Sequence, residues 1–219
     1  MHISQAMSLS LDETLQLIWD EMPDLMTGLE LNKDKIQTTL DALSLQKGEE
    51  YLSLGIGKNI LPFIVAMHGV NVTGLDTDPE VLKYQSDISE KFSSNLQSAN
   101  GSFTVYNFNF DDPYATQHVN GFETPPVGDF YNRFDIVECV FFNHREGESD
   151  LAQIELNFGR QEARYFVSTP GGLIGRENRI VTSLIDQIKM FGGNAEVTAT
   201  DLYSSNTHNW QYGVVVKGS

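Results

Sequence analysis

This sequence predicts an α/β fold: a mostly parallel sheet of seven strands that ends in an antiparallel hairpin and is flanked by helices. Three observations carry that expectation. Short apolar runs alternate with helix-period segments from residue 49 onward, the first run ends in Gly55-Ile56-Gly57, and only the polar connector 204–209 separates the last two runs. Repeated strand–helix alternation calls for parallel strands with right-handed crossovers. A connector too short for a crossover pairs its two strands antiparallel.

The elements follow in chain order. Ser10-Leu11-Asp12-Glu13 reads as a capping box, and Leu11, Leu15, Ile18, Trp19 and Met22 recur at helical spacing behind it. Pro23 restarts a helix, and a second helix covers 33–45 before Gly48. The predicted strands are 51–54, 70–75, 103–108, 134–142, 164–168, 195–203 and 210–217. The fourth is nearly all apolar, as a strand buried on both faces should be. Helices are predicted over 60–68, 79–96, 149–161 and 176–191, with a Pro-, Gly- and Asn-rich loop over 111–132. The helices of 1–48 have no place in the sheet, so they are expected to form an extension that covers the site of the domain 49–219 as a lid.

The chain has 219 residues, a size at which one core needs no staples. Its formal net charge is −16, and its 14 Lys and Arg are scattered. Such a surface repels a phosphate backbone, which disfavours nucleic acid as a partner. It suits neutral or cationic small substrates. No segment approaches the ~20 apolar residues that span a bilayer, and no basic residue precedes an apolar stretch at the N-terminus, so a cytoplasmic protein is expected. The single Cys139 lies in an apolar run and reads as a small buried hydrophobe. No Cys/His spacing suits a metal.

Ligands of open parallel sheets sit beyond the carboxyl ends of the strands, so the residues there are the candidates. After the first strand, Gly55 and Gly57 let backbone approach a ligand, ahead of a helix with free N–H groups. A full dinucleotide fingerprint would want glycine where Ile60 stands, which argues against a nicotinamide dehydrogenase. After the second strand comes Asp76, placed to accept hydrogen bonds from the two hydroxyls of a ribose. Helix capping there falls to Asp78, directly before Pro79. After the third strand, Asn109 could bond an adenine edge and Phe110 could pack on its face. After the fourth, His144 is a candidate general base.

The stretches Leu52-Ser53-Leu54-Gly55-Ile56-Gly57 and Val72-Thr73-Gly74-Leu75-Asp76-Thr77-Asp78-Pro79 resemble the first two motifs of the Rossmann-like S-adenosylmethionine-dependent methyltransferases. Phe134-Asp135-Ile136-Val137 and Val167-Ser168-Thr169-Pro170-Gly171-Gly172 resemble its fourth- and fifth-strand motifs more weakly. The resemblance covers 49 to the C-terminus. It implies that Gly55 and Gly57 border the methionine end of S-adenosylmethionine, Asp76 with Thr77 holds the ribose, Asn109 and Phe110 hold the adenine, and Cys139 and Val140 line the floor near the sulfonium. Ser53 stands where the family has an acid and Asn59 where it has a third glycine, so either Ser53 substitutes, another acid such as Glu50 helps, or the cofactor binds differently.

The implied reaction is methyl transfer to a small-molecule acceptor, with His144, and less favourably Asp112, as the base. No Asp/Asn-Pro-Pro-aromatic motif follows the fourth strand, so base amino groups of nucleic acid are not indicated. Two alternatives stay open. The turn 55–62 resembles that of nicotianamine-synthase-like enzymes, which transfer an aminocarboxypropyl group. The altered first motif also suits a catalytically silent binding domain.

Overall fold

The structure, a computed structural model, describes residues 9–23, 33–109, 121–140, 157–170, 176–190, 193–202 and 211–218. Two helices come first, α1 (Leu11–Glu21) and α2 (Lys33–Leu43). Then follow β1 (Glu50–Leu54), α3 (Leu61–Met67), β2 (Asn71–Asp76), α4 (Pro79–Lys91), α5 (Ser93–Ala99) and β3 (Ser102–Asn107). A 3₁₀ turn (Val127–Phe130) leads to β4 (Phe134–Val140), β5 (Gly159–Pro170), α6 (Arg176–Met190), β6 (Ala195–Leu202) and β7 (Gln211–Gly218).

The strands lie in the order β3-β2-β1-β4-β5-β7-β6. The first five pair in parallel, and β7 runs antiparallel between β5 and β6. Strand order therefore reverses at β1, with β2 on one side of it and β4 on the other, which is where open sheets of this kind leave a crevice. Both sheet faces are covered. On one, Tyr51, Ile136 and Phe166 pack with α3 and with Leu11, Ile18, Ile36 and Leu40 of α1 and α2. On the other, Leu52, Leu54 and Val137 pack with Leu184 and Ile188 of α6 and a cluster of Phe108, Phe130 and Phe158.

Every side chain of α3 is buried. Each large one stabilises the fold by roughly 1.5–3 kcal/mol. The predicted capping box on α1 is present, with Glu13 N donating to Ser10 Oγ and Ser10 N donating to Glu13 Oε2 at 2.8 Å. Both N-terminal helices share the main core, so closing that sheet face is their first task, and any cover over an acceptor comes in addition. The helix expected to restart at Pro23 falls mostly on residues outside those described.

Three predicted boundaries move, each for a tertiary reason. The helix expected over 79–96 breaks at Phe92, which is buried against Phe63 with ring centroids 5.2 Å apart. The helix expected to reach residue 45 stops at Leu43, where the Arg164 guanidinium donates to the free carbonyls of Leu43 and Ser44. The stretch 159–161, expected to be helical, opens β5: Gly159 pairs with Phe134, and Arg160 bridges to Asp135 at 2.9 Å. A Cβ on Gly159 would meet the Tyr165 hydroxyl at 2.4 Å and Ala163 Cβ at 2.9 Å, so a larger residue would have to displace them.

Candidate functional site

The turn after β1 is built from left-handed glycines. Gly55 has φ +65° and Gly57 φ +52°, values that strain any residue with a Cβ. Between them Ile56 donates its N–H to the Leu75 carbonyl at 3.0 Å, which lays the turn across the end of β2. Space for the Ile56 side chain comes from Gly74: a Cβ there would lie 2.5 Å from Ile56 Cδ1. From α4 the buried Gln85 donates to the carbonyls of Gly57 and Asn59, at 2.8 and 3.0 Å, and clamps the turn from its other side.

Asp76 closes this arrangement. Its Oδ2 accepts the Gly57 N–H at 2.9 Å, and its Oδ1 accepts those of Thr77 and Asp78 at 2.8 and 3.0 Å. A carboxylate offers about four acceptor positions, so three are in use and about one is left over. Asp78 caps α4 by accepting from Glu80 N at 2.8 Å, with Pro79 in the first turn, as its position foretold.

Behind the turn lies a buried polar group that joins Ser53 and Asn59 to an acid the sequence reading did not single out. Ser53 and Glu138 are Cα partners across β1 and β4, and the Ser53 hydroxyl donates to Glu138 Oε2 at 2.7 Å. Asn59 Nδ2 donates to Glu138 Oε1 at 3.0 Å, while Asn59 Oδ1 accepts from Leu61 N at 2.9 Å and so caps α3. Ser53 and Glu138 are fully buried and Asn59 is 3% exposed. Burial pushes the Glu138 carboxyl up to about 7, against the hydrogen bonds from Ser53, Tyr51 and Asn59 that favour its charge. The Tyr51 hydroxyl is itself buried without a partner in good hydrogen-bonding geometry. Burial, and after it the Glu138 charge, hold that hydroxyl well above its ordinary pKa.

No protein-family model and no curated protein matches the sequence. Solved structures do resemble the chain. A SAM-dependent methyltransferase from Aquifex aeolicus superposes with a TM-score of 0.57 at 12% identity, over 95% of this chain and 98% of that one. The chain has the fold of the S-adenosylmethionine-dependent methyltransferases. A magnesium protoporphyrin IX methyltransferase from Synechocystis, solved with bound SAM, gives a TM-score of 0.57 at 10% identity, over 96% of this chain and 98% of its own. The P. horikoshii protein TYW2, solved in complex with MeSAdo, gives 0.52 at 14% identity over 87% of this chain. This chain spans only 64% of the length of that protein.

Within this methyltransferase fold, Ser53, Gly55, Gly57, Asp76 and Thr77 come together around one turn. Asp76 is the register partner of Asn107, and its carbonyl accepts from Phe108 N at 2.9 Å, which brings the end of β3 alongside. Asn109 follows directly and is exposed, whereas Phe108 points into the core against Phe130. Cys139 and Val140 end β4, with Cys139 the partner of Leu54 and Val140 that of Ser168. Their side chains, and the whole of Phe110, Asp112 and His144, lie outside the described residues.

Glu50 does not help at this site. It sits at the opposite end of β1, where its N–H donates to Asp135 and its carboxylate pairs with Arg133 at 3.3 Å. Nor is Ser53 a free substitute for an acid, because its proton is committed to Glu138. Glu138 was the missed residue. Its signal was present: an acid flanked on both sides by the apolar pairs Ile136-Val137 and Cys139-Val140 of a strand expected to be buried on both faces.

Proposed function

We propose that this chain is an S-adenosylmethionine-dependent methyltransferase acting on a small-molecule acceptor. The observation that carries the reading is Asp76 bonded to Gly57 N–H: a carboxylate at the tip of β2, fixed to a left-handed glycine turn, with an acceptor position left over. These residues fit a nucleoside with a cationic amino-acid arm. Asp76 would take one ribose hydroxyl, the 55–57 backbone would border the arm, and Asn109, Phe110 and Thr77 would flank the base and sugar.

Bound S-adenosylmethionine would supply a methyl already activated by a sulfonium, so the protein has mainly to orient the reactants and exclude water. Cys139 and Val140 would form the floor at that point. His144, with Asp112 as second choice, would take the acceptor's proton where the acceptor must lose one. The net charge of −16 supports a neutral or cationic acceptor over nucleic acid. Among the described residues no helix is long and apolar enough to cross a membrane. The helices of 1–48 would shape the acceptor pocket; in support, they share a core with Ile56 and Ile60 of the turn.

The test is calorimetric titration of the chain with S-adenosylmethionine, followed by mass spectrometry of reactions with a panel of small acceptors. Binding and formation of S-adenosylhomocysteine are expected. Methylthioadenosine as product would replace methyl transfer by aminocarboxypropyl transfer, and absence of binding at millimolar ligand would end the reading altogether.

A further inference from the structure

Among the described residues Glu138 is the only acid that is fully buried, and it stands next to the turn rather than in it. A buried carboxyl costs stability unless it is well paired, and apolar residues of similar size usually serve a core better. Ser53, Asn59 and Glu138 nevertheless form one connected polar group between Leu52, Leu54 and the all-buried α3. Its arrangement has a direction. Glu138 holds Asn59, Asn59 caps α3, and Gln85 holds the Asn59 and Gly57 carbonyls, so the carboxylate is tied to the backbone of the glycine turn by two side chains. The strand register makes this possible: Ser53 and Glu138 are lateral neighbours on one face, so an acid on β4 reaches the space an acid on β1 would fill.

We propose that Glu138 is the acidic positioning residue of this site, moved from β1 to the facing place on β4, and that its carboxylate behind the glycine turn makes the turn selective for a cationic ligand. The inference rests on the reading of the chain as an S-adenosylmethionine-binding protein. Charge acts strongly here because the group lies in a dry, low-dielectric environment. Ser53 and Asn59 donate one hydrogen bond to each carboxylate oxygen, and no cationic side chain bonds it among the described residues.

The experiment compares two probes of one nucleoside, cationic S-adenosylmethionine and uncharged 5′-methylthioadenosine, titrated into the full chain at about pH 8, where Glu138 is mostly ionised. Glu138→Gln keeps the shape and removes the charge; its Oε1 can still accept from Asn59, while its Nε2 donates to the Ser53 hydroxyl instead of accepting from it. It is expected to weaken S-adenosylmethionine by about tenfold and methylthioadenosine by less than about twofold. The double variant Ser53→Asp with Glu138→Ser, which returns the acid to β1, is expected to recover most of the difference. Equal losses for both probes, or no loss for either, would overturn the proposal. Should Glu138→Gln not melt cooperatively, the double variant decides alone: a preserved preference for the cationic probe supports the proposal and a lost one refutes it. Failure of the unmodified chain to bind either probe would instead strike the functional reading, and this inference with it.

Discussion

Ser53 and Glu138 face each other across β1 and β4, with the serine hydroxyl 2.7 Å from the buried carboxylate. The pair predicts a pH dependence of stability. Glu138 titrates near 7 in the folded chain against an ordinary 4.5, so between those values the folded state holds a proton that the unfolded state has released. Stability contributed by this group therefore falls as pH rises from about 4.5 through about 7, by at most about 3 kcal/mol. Urea midpoints across that range should decline, and Glu138→Gln should flatten the decline. A variant with the same slope as the parent would show that the group does not titrate there.

Asp76 accepts three backbone N–H groups, one from across the turn and two from the start of its own loop. Asp76→Ala orphans all three. A hydrogen bond to a charged group is worth about 1.5–3 kcal/mol, so affinity for S-adenosylmethionine should fall roughly 10- to 100-fold. Part of that loss comes from a turn no longer held at Gly57. Calorimetry beside a thermal melt separates the two, because the melt should shift by only a few degrees. Unchanged affinity would remove Asp76 from the site.

Gly74 shows how a strand residue can govern a loop. Alanine there would place its Cβ 2.5 Å from Ile56 Cδ1 and 3.1 Å from Val105 Cγ1, in a region where Ile56 is fully buried and must shift to make room. Overpacking of this kind costs about 1–3 kcal/mol. Gly74→Ala is expected to lower the melting temperature and to weaken ligand binding together, since Ile56 is the middle residue of the turn. Loss of stability with intact binding would mean that Ile56 yields without moving Gly55 and Gly57.

Much of this was legible in the residues. The capping box at Ser10, the glycine turn, Asp76 at a strand tip and Asp78 as helix cap are local patterns, and local patterns write themselves into sequence. What escaped was non-local. Phe92 breaks a helix because Phe63, far away in sequence, offers it a pocket. Arg164 ends α2 from β5. Glu138 acts beside Ser53 because β1 and β4 happen to be neighbours in register, and strand order cannot be read from either segment alone. Ser53 reads as a missing acid only while its own strand is considered alone; the partner strand supplies one beside it.

Ile18 and Trp19 are consecutive on α1 yet opposite in environment, the first 1% exposed and the second 53%. That contrast tests what the N-terminal helices do. Ile18 lies in the cluster that also holds Ile64 and Phe166, so Ile18→Ala should leave a cavity and cost about 2–5 kcal/mol of global stability. Trp19→Ala removes no buried contact with that core and should cost no more than about 0.5 kcal/mol, as exposed positions do. Chemical denaturation of both variants provides the measurement. If α1 were only a cover that detaches from the sheet, Ile18→Ala would leave the global midpoint where it was and alter acceptor turnover alone. The shared core argues for the opposite outcome: one cooperative transition, shifted for Ile18→Ala and nearly unmoved for Trp19→Ala.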